Sequence, residues 1–149
     1  MKIFNTAFES ELRALMLLSV FNNSPLSLDQ ITLLDFITIY GKAFRVSTYD
    51  LHGNNLYKFS ELNARRSMFK NGLKRGVLDH FIQLRYSSVS GFLYKINDQG
   101  LMYVDTLSST YKTEYIAILK NVKDKFGHKS PKELLAIYKD KALEQSMEE

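Results

Sequence analysis

The chain has 149 residues, of which 45% are hydrophobic and 24% are charged. This composition predicts a single globular domain over residues 1–149 with a real core, and nothing in it indicates long disorder. The absence of cysteine excludes disulfides and thiolate metal sites. The net charge is +4, and the whole excess lies in residues 60–86, which hold six basic and two acidic side chains. Clustered positive charge is typical of a surface that meets phosphates or an acidic partner.

Two helices are predicted in the first third of the chain. Residues 7–21 carry apolar side chains at helical spacing, and "NNSP" ends this helix. Ser27 and Gln30 have capping-box spacing and begin a second helix, which Gly41 ends. Apolar residues lie almost all round this second helix, a pattern typical of a buried central helix. Residues 42–59 have no clean period and are predicted to be a long connection, either functional or an arm.

The first helix could be mistaken for part of a secretory signal. Glu9 and Glu11 precede its apolar run and Arg13 interrupts it, which argues against export. No apolar run approaches the roughly 20 residues that span a bilayer. The sequence therefore predicts a cytoplasmic protein.

A third helix, a hairpin and three further helices complete the predicted order. Ser60 is predicted to cap the third helix and Gly76 to end it. Two strand-like segments, "DHFIQLRY" and "FLYKIN", flank the turn "SSVSG". Asp98 is predicted to cap the next helix, a further helix covers about 110–126, and "SPKE" is a strong start for the last one.

This order predicts a mainly α fold with a small β-hairpin. Three helices followed by a hairpin are the order of a winged helix-turn-helix, with residues 61–75 in the place of the recognition helix and the hairpin as the wing. We assign the winged-helix core to about 7–97 and a C-terminal helical extension to about 98–145.

Helical periodicity divides the third helix into two sides. With Leu62 at 0°, Phe69 and Leu73 lie within about 20° and define the buried side. Arg66, at about 40°, lies at the edge of that side, whereas Arg65, at about −60°, lies on its flank. The outward side carries the candidate partner-binding or DNA-binding residues Asn63, Ser67, Lys70, Asn71, Lys74 and Arg75.

Three interpretations of this outward side remain open. Its residue types can contact base edges or phosphates, they can meet an acidic protein, or they can form a solvated polar face. The wing turn "SSVSG" carries no charge, and only Arg85 and Lys95 lie near it. This argues against strong binding to a duplex.

Several charged residues occupy apolar helices. Asp35 lies within the most apolar helix, Arg13 lies within the first, and Arg66 borders the apolar side of the third. An unpaired buried charge costs several kcal/mol, so we expect Asp35 to pair with Arg13 or Arg66, with Arg65 as a further candidate. We interpret these residues as architecture rather than chemistry.

No catalytic constellation is visible. His52, His80 and His128 lie far apart without ligand spacing. The segment "GLKRG" lacks the frame of a phosphate-binding loop, and there is no nucleophile elbow. The sequence therefore favours a non-enzymatic binding module with no cofactor and no metal.

The chain also resembles a known family. The segments "ELRALMLLSVF", "LSLDQITLLDFITIYG", "ELNARRSMFKNGLKRGVLD" and "TEYIAILKNVKDKFGHKSPKELLAIYKDKAL" are similar to the middle component of bacterial ABC three-component conflict systems, a group that includes the middle subunit of Lamassu anti-phage defence. The family's sequence pattern also has polar positions that this chain matches, namely Arg13, Asp35, Arg65 and Arg66. The resemblance covers about residues 8–143.

The resemblance implies an adaptor. Such middle components are small winged-helix proteins thought to connect an SMC-like ABC ATPase with an effector, often a nuclease, or to restrain the effector until foreign DNA is sensed. The resemblance allows the basic face to meet the ATPase, the effector or DNA threaded through the complex, and the family supplies no catalytic residues. No membrane partner is expected. The alternative is a stand-alone winged-helix transcriptional regulator, which would usually be a dimer on two half-sites.

Overall fold

Six α-helices and one two-stranded antiparallel hairpin make up the part of the chain that the computed structural model describes, residues 6–53, 55 and 57–148. The mainly helical fold with a hairpin after the third helix is confirmed. The elements are α1 (Ala7–Val20), α2 (Leu28–Ile39), a short 3-10 helix (Lys58–Ser60), α3 (Leu62–Leu78), β1 (Ile82–Ser87), β2 (Gly91–Ile96), α4 (Asp98–Thr106), α5 (Thr110–Phe126) and α6 (Pro131–Glu148).

The predicted starts of α2 and α6 are confirmed, and each is a capping box. The Ser27 hydroxyl accepts from the Gln30 amide at 3.2 Å, and the Gln30 side chain accepts from the Ser27 amide at 3.0 Å. Ser130 and Glu133 make the same reciprocal pair at 3.1 and 3.0 Å. Both starts satisfy amides that would otherwise have no partner within the helix.

Three predicted helix boundaries are wrong. Ser60 belongs to the 3-10 helix, and Glu61 precedes α3 without a side-chain cap. Asn97, rather than Asp98, caps α4, because its side-chain oxygen accepts from the amide of residue 100 at 2.8 Å. Gly76 lies inside α3, which runs two residues further. A side chain at Gly76 would collide with Ile82, so this glycine serves packing and not helix termination.

The helix α2 forms the centre of the core, as its apolar sequence predicts. Every residue from Ile31 to Ile39 is buried. It packs against α3, α5 and α6, while α1 packs mainly against α3. A helix covered on all sides buries its whole apolar surface, and this burial is the largest favourable contribution that one helix can make to the stability of the fold.

The helices α1 and α3 cross at Gly72 with almost no space between their backbones. A Cβ atom at Gly72 would lie 2.6 Å from the Ser10 hydroxyl and 2.7 Å from the Glu11 amide nitrogen. Only glycine permits so close an approach. This crossing fixes which side of α3 faces the core.

The hairpin is anchored at its base and projects at its tip. Ile82 and Ile96 pair across the strands and are both buried. Leu26, just before α2, makes an isolated antiparallel bridge with Tyr94 on the outer edge of β2. Among the residues that the structure describes, the hairpin is therefore held to the core through its base.

The predicted long connection over 42–59 consists of turns and the 3-10 helix, as far as it is described. Residues 54 and 56 of this prediction lie outside the described residues. Phe44 and Val46 are buried, so part of the connection belongs to the core. No helix in the described part of the chain is long and apolar enough to cross a membrane.

Candidate functional site

A buried cluster of charges joins α1, α2, α3 and α5. Asp35 is 0% exposed and Arg13 is 1% exposed. The Arg13 Nε atom donates to Asp35 Oδ1 at 3.2 Å, and its Nη2 atom donates to Oδ2. The Tyr115 hydroxyl also donates to Oδ1, at 2.6 Å. The predicted pair of Arg13 and Asp35 is confirmed, and it is a bidentate contact of the strong kind.

The second arginine of the cluster is Arg65, and the predicted core position of Arg66 is wrong. Arg65 Nη1 lies 3.4 Å from Asp35 Oδ2, and its Nη2 atom donates to Glu61 at 3.1 Å. Arg66 instead donates to Asp29 at 2.7 Å, and both of these side chains are exposed. Arg65 thus belongs to the architecture, and Arg66 belongs to the surface.

The two glycines of α3 explain this error. Gly72 and Gly76 are both buried and lie at about −80° and −40° from Leu62. They move the centre of the buried side away from Leu62 and toward Arg65, leaving Arg66 outside it. Glycine carries no apolar side chain, so it contributes nothing to the periodic pattern from which the side was assigned.

Burial fixes the charge states around Asp35. Burial alone would lower the pKa of Arg13, but the adjacent carboxylate of Asp35 more than offsets this and raises it. Burial, and then the charge of Asp35, raises the pKa of Tyr115 well above its usual value. Burial and the charge of Arg13 lower the pKa of His52 to about 4. Tyr115 and His52 are therefore uncharged at neutral pH, and Arg13 keeps its charge.

The outward side of α3 presents a basic patch that we define as Arg66, Lys70 and Lys74. These residues follow one another at a spacing of four and so form one stripe along the helix. Lys70 and Lys74 are exposed and have no ion pair within the described residues. The predicted outward residues Asn63, Ser67 and Asn71 are exposed as well.

Arg75 is exposed on the outward side, as predicted, but its guanidinium is already engaged by α1. Its Nε atom lies 2.9 Å from Oε1 of the buried Glu11, and its guanidinium lies over the ring of Phe8, 5.4 Å from the centroid. Asp79 lies 4.0 Å from the same nitrogen. Arg75 therefore fastens α3 to α1. The sequence placed it outward correctly, but gave no sign of the acidic partner on the first helix.

The family comparison covers almost the entire chain. A family model described as ABC-three component (ABC-3C) system Middle Component 2 matches residues 3–149. The chain belongs to the Middle Component 2 family. The match includes both the buried charge cluster and the basic patch. Searches of curated proteins and of solved structures found no significant match.

The contact between α1 and α3 in this Middle Component 2 protein contains an unusual carboxyl group. Burial, and then a hydrogen bond with Asp79 and the charge of that residue, raises the pKa of Glu11 from 4.5 to about 7, although Arg75 acts in the opposite direction. The Oε2 atom of Glu11 is buried and has no hydrogen-bond partner among the described residues. The contact with Arg75 therefore offsets only part of the cost of burying the ionised carboxylate of Glu11.

We expect the Glu11→Gln variant to be more stable than the native protein above neutral pH. Because the folded state raises the pKa of Glu11, this residue destabilises the fold progressively as the pH rises from about 4.5 to about 7. The gain should be about 3 kcal/mol near pH 8 and should disappear toward pH 4.5. Urea unfolding at both values measures it, and equal stability of the two proteins at pH 8 would contradict this account.

Three residues of the cluster and its surroundings were missed in the sequence. Tyr115 occupies an ordinary core position of its helix, and nothing local marks its hydroxyl as a partner of Asp35. Glu61 accepts from Arg65 on the next turn, a pair that i,i+4 spacing could have revealed. Glu11 lies beside Arg75 only because α1 crosses α3 so closely. Two of the three contacts thus depend on tertiary structure.

Proposed function

We propose that this Middle Component 2 protein is a non-catalytic adaptor of a defence complex, and that it connects an SMC-like ABC ATPase with an effector subunit, often a nuclease. The observation that carries the proposal is the family match over residues 3–149. A middle component of a three-component system acts through the other subunits of that system. The resemblance to the Lamassu middle subunit supports the same role and a cytoplasmic site of action.

The arrangement of charge supports a protein-binding role for α3. Inside, Arg65 binds Asp35 and Glu61 and fixes the helix against the core. Outside, Lys70 and Lys74 have no carboxylate partner in the described part of the chain. A fixed helix with uncompensated positive charge suits an acidic surface, because complementary charge steers association and selects the partner.

The order of elements supports a winged-helix interpretation of about 7–97. The hairpin follows α3 directly in the chain, which is the order in which a recognition helix and its wing occur. In the proposed complex this helix meets an acidic protein surface, and DNA is contacted through the assembled subunits. The helices α4, α5 and α6 form the extension, about 98–145.

Reversing two charges of the basic patch tests this role. We expect Lys70→Glu with Lys74→Glu to reduce recovery of the ATPase and effector by at least about tenfold when the tagged chain is purified from cells that co-express them. Lys120→Glu with Lys139→Glu is the matched control, since both lysines are exposed on helices outside the patch. Equal recovery by the two double variants would contradict a role for the basic patch.

A further inference from the structure

The outer edge of β1 pairs with no other strand in the described part of the chain. Leu26 and Tyr94 exchange two main-chain hydrogen bonds of 2.9 and 2.8 Å, so the main chain of Tyr94 points away from β1. Leu84 is the cross-strand partner of Tyr94. Because alternate residues of an antiparallel pair point to opposite edges, the amide and carbonyl of Leu84, and of Tyr86 two residues on, point away from β2. Within the described residues these groups have no other main-chain partner.

One face of the hairpin tip is apolar and open to solvent. Leu84, Tyr86 and Phe92 share this face and are 47%, 71% and 57% exposed. The rings of Tyr86 and Phe92 pack edge to face with centroids 5.4 Å apart. The face continues the buried pair Ile82 and Ile96 beyond the edge of the core. An exposed apolar edge strand of this kind invites pairing with another chain.

The opposite face of the same strands is basic. Arg85 pairs with Leu93, and Lys95 pairs with Gln83, so the two charges are diagonal neighbours on this face. Neither Arg85 nor Lys95 has a carboxylate partner among the residues that the structure describes. Any strand added at β1 would thus meet apolar side chains on one face and positive charge on the other.

We propose that β1 binds an extended segment of a partner protein as a third strand, and that this segment alternates apolar with acidic residues. Its main chain bonds to Leu84 and Tyr86, its apolar side chains cover the side chains of the same two residues, and its carboxylates meet Arg85 on the adjacent strand, with Lys95 behind it on β2. A second copy of β1 fits less well, because it would bring two basic faces together. The proposal deepens the adaptor role and rests on it for the source of the segment.

A synthetic peptide tests the recognition chemistry without the other subunits. We expect a short peptide in which valine alternates with glutamate to bind the whole chain at least about tenfold more tightly than one in which valine alternates with lysine, as measured by fluorescence anisotropy. Arg85→Glu should abolish this preference, whereas the remote control Lys120→Glu should leave it unchanged. Equal binding of the two peptides would overturn the proposal that the bound segment carries acidic residues.

Hydrogen exchange of single amides tests the position of the added strand. In the free protein, the amide of Arg85 points toward β2 and should be protected, whereas those of Leu84 and Tyr86 should exchange quickly. The amides of Leu84 and Tyr86 should become protected from exchange in the co-purified complex. A complex in which they remain unprotected would overturn this inference and leave the adaptor role intact, while failure to form any complex would overturn the adaptor role. Protection in the free chain that grows with its concentration would identify a second copy as the occupant instead.

Discussion

Replacing Asp35 with asparagine is expected to lower the free energy of unfolding by about 3–5 kcal/mol. Asp35 is the shared carboxylate of Arg13 and Arg65 and also accepts from Tyr115. Asparagine keeps an acceptor but removes the charge, and Arg13 would then be a buried cation without a counterion. Thermal unfolding should shift down by about 10 °C or more for a chain of this length.

Asp29→Asn is the matched control for Asp35→Asn. Both residues lie on α2, and both pair with an arginine of α3. The pair of Asp29 with Arg66 is exposed, however, so its loss should change stability by less than about 1 kcal/mol. If the two variants had the same stability, the buried cluster would not be holding these helices together.

The sequence predicted the helices and the central ion pair better than it predicted which face of α3 is buried. Apolar periodicity and capping residues are local signals, and they placed α2, α5, the hairpin and the start of α6 correctly. The pair of Arg13 and Asp35 followed from the cost of burying a lone charge. Arg66 was placed toward the core and Arg65 was only a further candidate, because the buried glycines Gly72 and Gly76 leave no mark in the apolar pattern of α3.

Replacing Gly72 with alanine is expected to destabilise the protein by about 1–3 kcal/mol. In an isolated helix alanine would be favoured over glycine by about 1 kcal/mol. Here the new Cβ would lie 2.7 Å from the main-chain nitrogen of Glu11, so α1 itself would have to move. Such a movement would also strain the contact between Glu11 and Arg75. Chemical denaturation of the purified variant measures the change.

Gly76→Ala provides the comparison within the same helix. Its Cβ would meet the side chain of Ile82, which can rotate, and no main-chain atom of another helix. We expect its cost to be smaller than that of Gly72→Ala, within about 1 kcal/mol. A Gly72→Ala variant as stable as the native protein would show that α1 and α3 can separate without loss.

The same close crossing determines what the sequence could not reveal about the candidate site. Lys70 and Lys74 were correctly placed on the surface by periodicity alone. Arg75 was also placed outward, but its ion pair with Glu11 requires the path of α1 over Gly72. The edge of β1 that is unpaired within the described residues could not be predicted either, because it depends on Leu26 pairing with β2 rather than with β1, a long-range contact that no local pattern reveals.

The adaptor role is tested most directly by omitting this chain from a co-expression of all three components. With the chain present, the account predicts that a tagged effector recovers the ABC ATPase in one complex. With the chain absent, it predicts that the effector is recovered alone. An effector that retains the ATPase without this chain would contradict the bridging role. A chain that binds neither subunit, but forms a sequence-specific DNA complex tighter than about micromolar at physiological salt, would contradict the account as a whole.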